Sequence, residues 1–341
     1  MKFKIEFDIP KKNHEAINYG DTLLSIGSCF SNDIGQKLLN AKFDIISNPL
    51  GVLYDPLSIF KILKDCLHNI APSPILINDL YVSFALHSEI RAVTKDDFNS
   101  MCLRKMDLTR DYLKKAKWLI ITPGTAYSYR HLTSNELVAN CHKIPQREFR
   151  KELLNTQLIL DAFESLYLSI KEINPALQCL FTVSPVRHLK DGLNENTQSK
   201  AILHLATHEI VTRFKDCHYF PSYEIMIDEL RDYRFYKSDM IHPNELAIDY
   251  IWERFLSTYF SEHTLSIYEL WGDLSKEMMH KPFNPHSIEH QKFIRKTLKK
   301  LADFPKNVNV NNEIEDLKKC YLDEICNHYF NSHTHRLHLI E

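Results

Sequence analysis

The chain has 341 residues, 44 % of them hydrophobic and 25 % charged, enough for about two ordinary domains and unlike a disordered or fibrous chain. Its 42 basic and 44 acidic side chains leave a net charge of -2, with no basic field to draw it onto nucleic acid. Seven glycines, never three within six positions, exclude the Gly-rich cradles that bind dinucleotides and phosphates.

The N-terminal MKFKIEFDIP alternates polar and apolar residues and does not read as a secretory leader. From residue 20 short apolar runs alternate with longer helical stretches, the pattern of βαβ units around a parallel sheet. Strands are expected at 22–26, 43–46, 117–122, 178–183 and 218–220, and helices at 30–40, 55–66, 95–115, 148–171, 195–214 and 243–260. The third and fourth strands are nearly unbroken apolar runs, as in strands covered on both faces, and predict a three-layer α/β/α domain. Residues 79–91 (DLYVSFALHSEIR) alternate with period two and read as an inserted edge hairpin. The expected division is an α/β/α domain over 1–260 and a helical extension over 261–341, with a break at KPFNP (281–285). Within the extension, RKTLKK (295–300) reads as a solvated helix face. No apolar run approaches the roughly 18 residues of a membrane span. Eight scattered cysteines without a CxxC pair read as reduced thiols in a cytoplasmic protein.

Ligands of open α/β sheets sit beyond the carboxyl ends of the strands, so the residues just after each strand are the candidates for chemistry. These are GSCFS (27–31), NPLG (48–51), PGTAY (123–127), SPVRH (184–188) and SDMIHP (238–243). Pro243 suits the first position of a helix, which places His242 on the loop entering it, with Asp239 able to hold the imidazole. The alternative is a turn-capping aspartate beside a surface histidine.

The segments GSCFSNDIG, NPLGVLYDP, NCHK, TVSPVRHLKDG, LRDYRFY and DMIHP resemble those of the bacterial GSCFA-domain proteins, of the SGNH (GDSL-like) hydrolase superfamily. The resemblance covers roughly residues 20–260. It implies a flavodoxin-like sheet and an esterase that removes O-acyl groups from a carbohydrate through a covalent acyl-enzyme, without a cofactor. Laid over the superfamily's Gly-Asp-Ser block, Gly27-Ser28-Cys29 places Cys29 at the nucleophile, with Ser28 as the rival. A helix beginning near Phe30 would add Ser28 as N-cap and favour a Cys29 thiolate. The resemblance further implies His242 and Asp239 as base and orienting acid, and the Gly51 and Gly124 N–H groups as oxyanion donors. Ala126 departs from the pattern, standing where the superfamily has an asparagine donor. The substitute donors are the backbone N–H groups of Cys29 and Gly51, helped by a side chain of Asn140, His142 or Arg187, and Arg187 and His188 are substrate-binding candidates. Arg187 could equally pair with an acid of DELRDYR.

Two other functions remain open, an O-acyltransferase that uses acyl-coenzyme A and a binding protein that has lost catalysis. The aromatic residues Tyr219, Phe220, Tyr223, Tyr233, Phe235 and Tyr236 read as core or as a sugar-stacking wall. His204 and His208 have the spacing of a zinc pair but lack a third ligand, so they read as surface histidines. His333, His335 and His338 read as a solvated tail, and no metal site is assigned.

Overall fold

A computed structural model describes residues 5–11, 16–280, 283 and 287–322. Most of KPFNP and the three C-terminal histidines lie outside the described residues.

Five parallel strands, β1 (Thr22–Gly27), β2 (Asp44–Ser47), β5 (Trp118–Thr122), β9 (Gln178–Phe181) and β10 (Cys217–Tyr219), form the central sheet in the order β2-β1-β5-β9-β10. Helices α1 (Cys29–Asn40), α2 (Pro56–His68), α3 (Lys95–Lys115), α4 (Thr156–Ile173), α5 (Leu193–Arg213) and α7 (Glu245–Tyr259) flank it. β5 is buried at all five positions, which explains its uninterrupted apolar sequence WLIIT. The chain leaves β1 for β2 at one edge and returns to β5 on β1's other side, with Gly27 paired to Thr122. This strand order is the flavodoxin-like one, and its switch point lies between the ends of β1 and β5.

Local chemistry fixes the helix starts. Asp55 accepts the Ser58 N–H at 3.0 Å ahead of Pro56, Thr94 caps α3 through Asp97 N–H, and Asn155 caps α4 through Leu158 N–H. Burial pushes the Asp55 carboxyl up to about 6 against the Ser58 hydrogen bonds. A short helical turn, α6 (Ser222–Glu224), runs into a π turn over Ile225–Glu229.

Two parts of the expected pattern change. The hairpin lies upstream, as β3 (Ile75–Ile77) and β4 (Leu80–Val82), joined at Asn78 and Asp79 with φ of 48° and 62°. Positive φ at both central residues suits a tight hairpin and is tolerated by Asn and Asp. Residues 149–153, expected to open a helix, form β8 (Phe149–Leu153), which pairs antiparallel with β6 (Tyr127–His131). β7 (Leu137–Val138) completes this three-stranded sheet. FRKEL is rich in helix formers, but pairing with β6 and the downstream Asn155 cap override propensity.

The residues fall into two compact units. One contains Asp21–Leu39, Asp44–Thr258 and residues 5–11; the other contains 16–20, Asn40–Phe43 and 259–322. The second unit holds α8 (Glu262–Met278), α9 (Ile288–Ala302) and α10 (Asn311–Leu322). Tyr19 stacks on Phe43 at 4.3 Å, Phe43 lies 5.0 Å from Phe260, and Trp271 Nε1–H donates to Asn40 O at 2.8 Å. Arg295, Lys296, Lys299 and Lys300 are exposed on α9, the solvated face expected for RKTLKK, and Lys300 pairs with Glu277. Among the described residues no helix is long and apolar enough to cross a membrane.

Candidate functional site

The turn after β1 is held from several directions. Gly27 has φ of 147°, and a side chain there would place Cβ 2.3 Å from Thr122 O, so only glycine fits. Its N–H donates to Asn48 Oδ1 at 2.8 Å, its carbonyl accepts from Leu53 N–H at 3.0 Å, and Ser28 N–H donates to Thr122 O at 2.9 Å. Asn48 also donates through Nδ2 to Asn32 Oδ1 at 2.7 Å and sits at φ of 43°. Asn48→Ala leaves the buried Gly27 N–H unpaired and puts alanine in left-handed backbone. It is expected to lower the unfolding free energy by about 2–4 kcal/mol in denaturant titrations, and an unchanged midpoint would exclude the clamp.

The two nucleophile candidates differ in setting. Ser28 is 1 % exposed and its Oγ has no hydrogen-bond partner, so it does not cap α1 as expected. Cys29 is the first residue of α1 and is partly exposed. Burial and the nearby Asp33 carboxylate push the Cys29 thiol up, outweighing the N–H groups of Phe30 and Cys29 and the Lys237 ammonium. The expected thiolate at the helix start is therefore corrected: burial outweighs the helix terminus. Asp33, one turn along α1, is itself raised to about 6 by burial, against the pull of Lys237, His242 and Lys37.

Beyond β10, His242 Nδ1–H donates to Asp239 Oδ2 at 2.7 Å. Asp239 Oδ1 accepts the N–H groups of Ile241 at 2.8 Å and His242 at 3.0 Å, which with the imidazole hold its carboxyl down at about 2. The Asp239–His242 contact is thus formed, while Asp239 also caps its own turn beside a part-exposed His242, so both alternatives read from the sequence are present. Its helix starts later: Asn244 Oδ1 accepts Ala247 N–H ahead of Glu245, and Pro243 instead bridges to Tyr236. No hydrogen bond joins His242 to Cys29 or to Ser28; the Asp33 carboxylate pushes the Cys29 thiol up, and His242 draws the Asp33 carboxyl down.

Two of the expected backbone donors are committed elsewhere. Gly51 N–H donates to Asn48 O at 2.8 Å, closing a turn, and Gly124 N–H donates to Tyr54 O at 2.7 Å. Neither is an open oxyanion donor in this structure. Gly124 matters instead for its missing side chain, because a Cβ there would lie 3.0 Å from His188 Nε2 and 3.4 Å from both Ser28 Cβ and Tyr54 Cδ1. Asn140 Oδ1 accepts His142 N–H at 2.8 Å, and the buried His142 donates through Nε2–H to Ser83 O at 2.7 Å. These two residues stabilise the loop before β8, and no contact brings them to the Cys29 turn.

Arg187 is half-buried and donates to Tyr236 Oη at 2.7 Å, with its guanidinium 5.5 Å from that ring. The acids of DELRDYR are engaged otherwise: Asp228 with Arg231, Glu229 with Arg254 and Asp232 with Arg234. His188 packs edge-on to Tyr54 at 5.3 Å, and burial with the Lys200 charge pushes its imidazole down to about 4. The aromatic group divides. Tyr219 and Phe220 join the interior, Tyr236 carries Arg187, and Tyr233 is 77 % exposed. His204 is half-buried and packs against Tyr219 and Tyr223, whereas His208 is exposed.

Sequence reasoning placed Asn48 among the residues after β2 without giving it a role, and it missed Asp33, Tyr54 and above all a polar stripe on α5. Asn196 Oδ1 accepts His188 N–H at 2.9 Å, and Ser199 Oγ accepts Ala126 N–H at 2.7 Å. Lys200 is 2 % exposed and donates through Nζ to Gly124 O at 2.7 Å and Ser184 O at 2.6 Å. One helix thus holds the loops after β5 and β9. The signal was the spacing of three polar residues with Leu203 on one face of NENTQSKAIL, where an apolar stripe is normal. A groove of about 440 Å³ between α2, α4 and the β6–β7 hairpin includes none of these residues in its wall.

A model described as the GSCFA family matches residues 22–255, and one described as the C-terminal domain of GSCFA domain proteins matches residues 271–323. No curated protein matches the chain.

Proposed function

This chain belongs to the GSCFA family, and from that membership and the geometry of its sheet mouth we propose that it is an SGNH-type enzyme acting on acyl esters. The observation that carries the reading is the hydrogen-bonded Asp239–His242 pair beyond β10, together with the partly exposed Cys29 that opens α1 beyond β1. Asp239 fixes the tautomer, leaving His242 Nε2 to accept a proton.

In the proposed reaction Cys29 Sγ attacks the ester carbonyl while His242 takes the thiol proton. The tetrahedral adduct collapses, the carbon–oxygen bond breaks, and the leaving alkoxide receives that proton. Water, deprotonated by His242, then attacks the thioester and releases the acid and the free thiol. Because Cys29 is held as a thiol by burial, the base is required. The proposed reaction requires Cys29 Sγ and His242 Nε2, which are not hydrogen-bonded in this structure, to come within hydrogen-bond reach when substrate binds, as catalytic pairs that are loose in unliganded enzymes do. An O-acylated carbohydrate is the substrate class, supported by the family resemblance and by exposed Tyr233 beside the Tyr236–Arg187 pair.

The same missing hydrogen bond favours the reading in which the chain binds without catalysis. Incubation with 4-nitrophenyl acetate separates the two. The enzyme reading expects one burst of 4-nitrophenolate per chain and an acetyl group located on Cys29 by peptide mass. A chain that remains unmodified at millimolar ester counts against it. Acyl-coenzyme A with a sugar acceptor then distinguishes transfer from hydrolysis.

A further inference from the structure

Attack on an ester carbonyl builds negative charge on oxygen, and three backbone N–H groups near this site are committed elsewhere. The N–H groups of Gly51 and Gly124 are bonded to Asn48 and Tyr54, the Ala126 N–H is bonded to Ser199, and Ala126 has no polar side chain. Besides the buried Ser28 hydroxyl, a second side chain at the mouth is uncommitted. The His188 imidazole has no hydrogen-bond partner among the described residues, although its backbone N–H is anchored by Asn196 and its ring by the edge contact with Tyr54. Its Nε2, Ser28 Cβ and Tyr54 Cδ1 converge on the space that a side chain at 124 would fill.

We infer that His188 is a second catalytic histidine, whose imidazole donates Nε2–H to the oxyanion formed when Cys29 attacks. The inference rests on the acyl-enzyme reading above. The groups facing the ring fit this role. Lys200, from α5, and His242 oppose its protonation, and Asp191, which favours it, is paired with Lys151. A neutral imidazole carries one N–H and is too weak a base here to take the thiol proton, so it does not compete with His242.

As the S–C bond forms, the carbonyl π pair moves onto oxygen and is held by Nε2–H. When the adduct collapses, that pair re-forms the carbonyl and expels the alkoxide, which takes its proton from His242. His188 keeps its own proton throughout. Gly124 is glycine on this account because any side chain there would occupy the space of the substrate oxygen.

The test uses two reactions of Cys29 in the full chain. Acylation by 4-nitrophenyl acetate passes through an oxyanion, whereas alkylation by iodoacetamide does not. His188→Ala is expected to slow acylation by roughly 10²–10³-fold, the usual effect of losing one such donor. Alkylation should change by less than about threefold, since thiol nucleophilicity is untouched. His188→Gln, which retains an N–H donor, should recover part of the acylation rate. Equal slowing of both reactions would show that His188 acts through Cys29 or the fold, and no slowing of acylation would show that it is not the donor. Either result overturns the inference while leaving the acyl-enzyme intact. A wild-type chain that is alkylated but never acylated would overturn the acyl-enzyme reading itself, and this inference with it.

Discussion

Cys29→Ala is expected to abolish ester-dependent acylation, a loss of roughly 10⁴-fold or more, as when an attacking group is removed from a catalytic triad. Ser28→Ala is expected to stay within about tenfold of wild type, because a buried hydroxyl without a partner contributes little when removed. The contrast follows from placement. Ser28 lies beneath the turn, 1 % exposed with Oγ unpartnered, whereas the partly exposed Cys29 opens α1 above it. Burst amplitude with 4-nitrophenyl acetate measures both variants. If Ser28→Ala loses the burst and Cys29→Ala keeps it, the hydroxyl is the nucleophile and the acyl adduct should map to residue 28.

Lys200→Met is expected to be the most destabilising single change near the site. It leaves the buried carbonyls of Gly124 and Ser184 unpaired, a cost of about 2–5 kcal/mol, and frees the two loops that frame the mouth. The effect has a pH signature with a definite sign. Burial pushes the Lys200 ammonium down to about 7 from its ordinary 10.5. Between those values the unfolded chain holds a proton that the folded chain has released, so this residue makes stability rise with pH. Its contribution is complete above the unfolded pKa and is lost as pH falls through the folded one. The unfolding free energy of wild type minus that of Lys200→Met should therefore climb between about pH 7 and pH 10, by at most about 1.4 kcal/mol per unit, the limit for one proton. Urea titrations across that range measure it. A flat or falling difference would mean that the folded amine keeps its proton.

Part of the site was legible because its signals are local. Asp239 and His242 act through neighbours within a few residues, so the Asp-x-x-His spacing carries their geometry, whereas Gly27 is marked by the strand-turn-helix pattern although its contacts, Asn48 and Thr122, are distant. The oxyanion donors were not legible. Whether a peptide N–H is free depends on which carbonyl folds against it, and the partners of Gly124 and Ala126 lie about seventy residues away in both directions, at Tyr54 and Ser199. Lys200 was hidden for a related reason: a lysine in a helix reads as solvated until the strands it grips are in place. β8 was misread because FRKEL has helical propensity, and only β6 makes it a strand.

Residue order alone determined the parallel α/β architecture, since runs such as WLIIT are stable only with helices on both faces, and it determined the Asp239–His242 contact, since three residues of one turn suffice to make it. Tertiary packing decided the rest. It put Ser28 beneath the turn and Cys29 above, closed the Gly51 and Gly124 N–H groups, and set His188 beside Gly124 with Lys200 behind it. Burial and hydrogen-bond satisfaction depend on distant segments meeting, so a thiol's acidity or an imidazole's charge exists only in the folded chain.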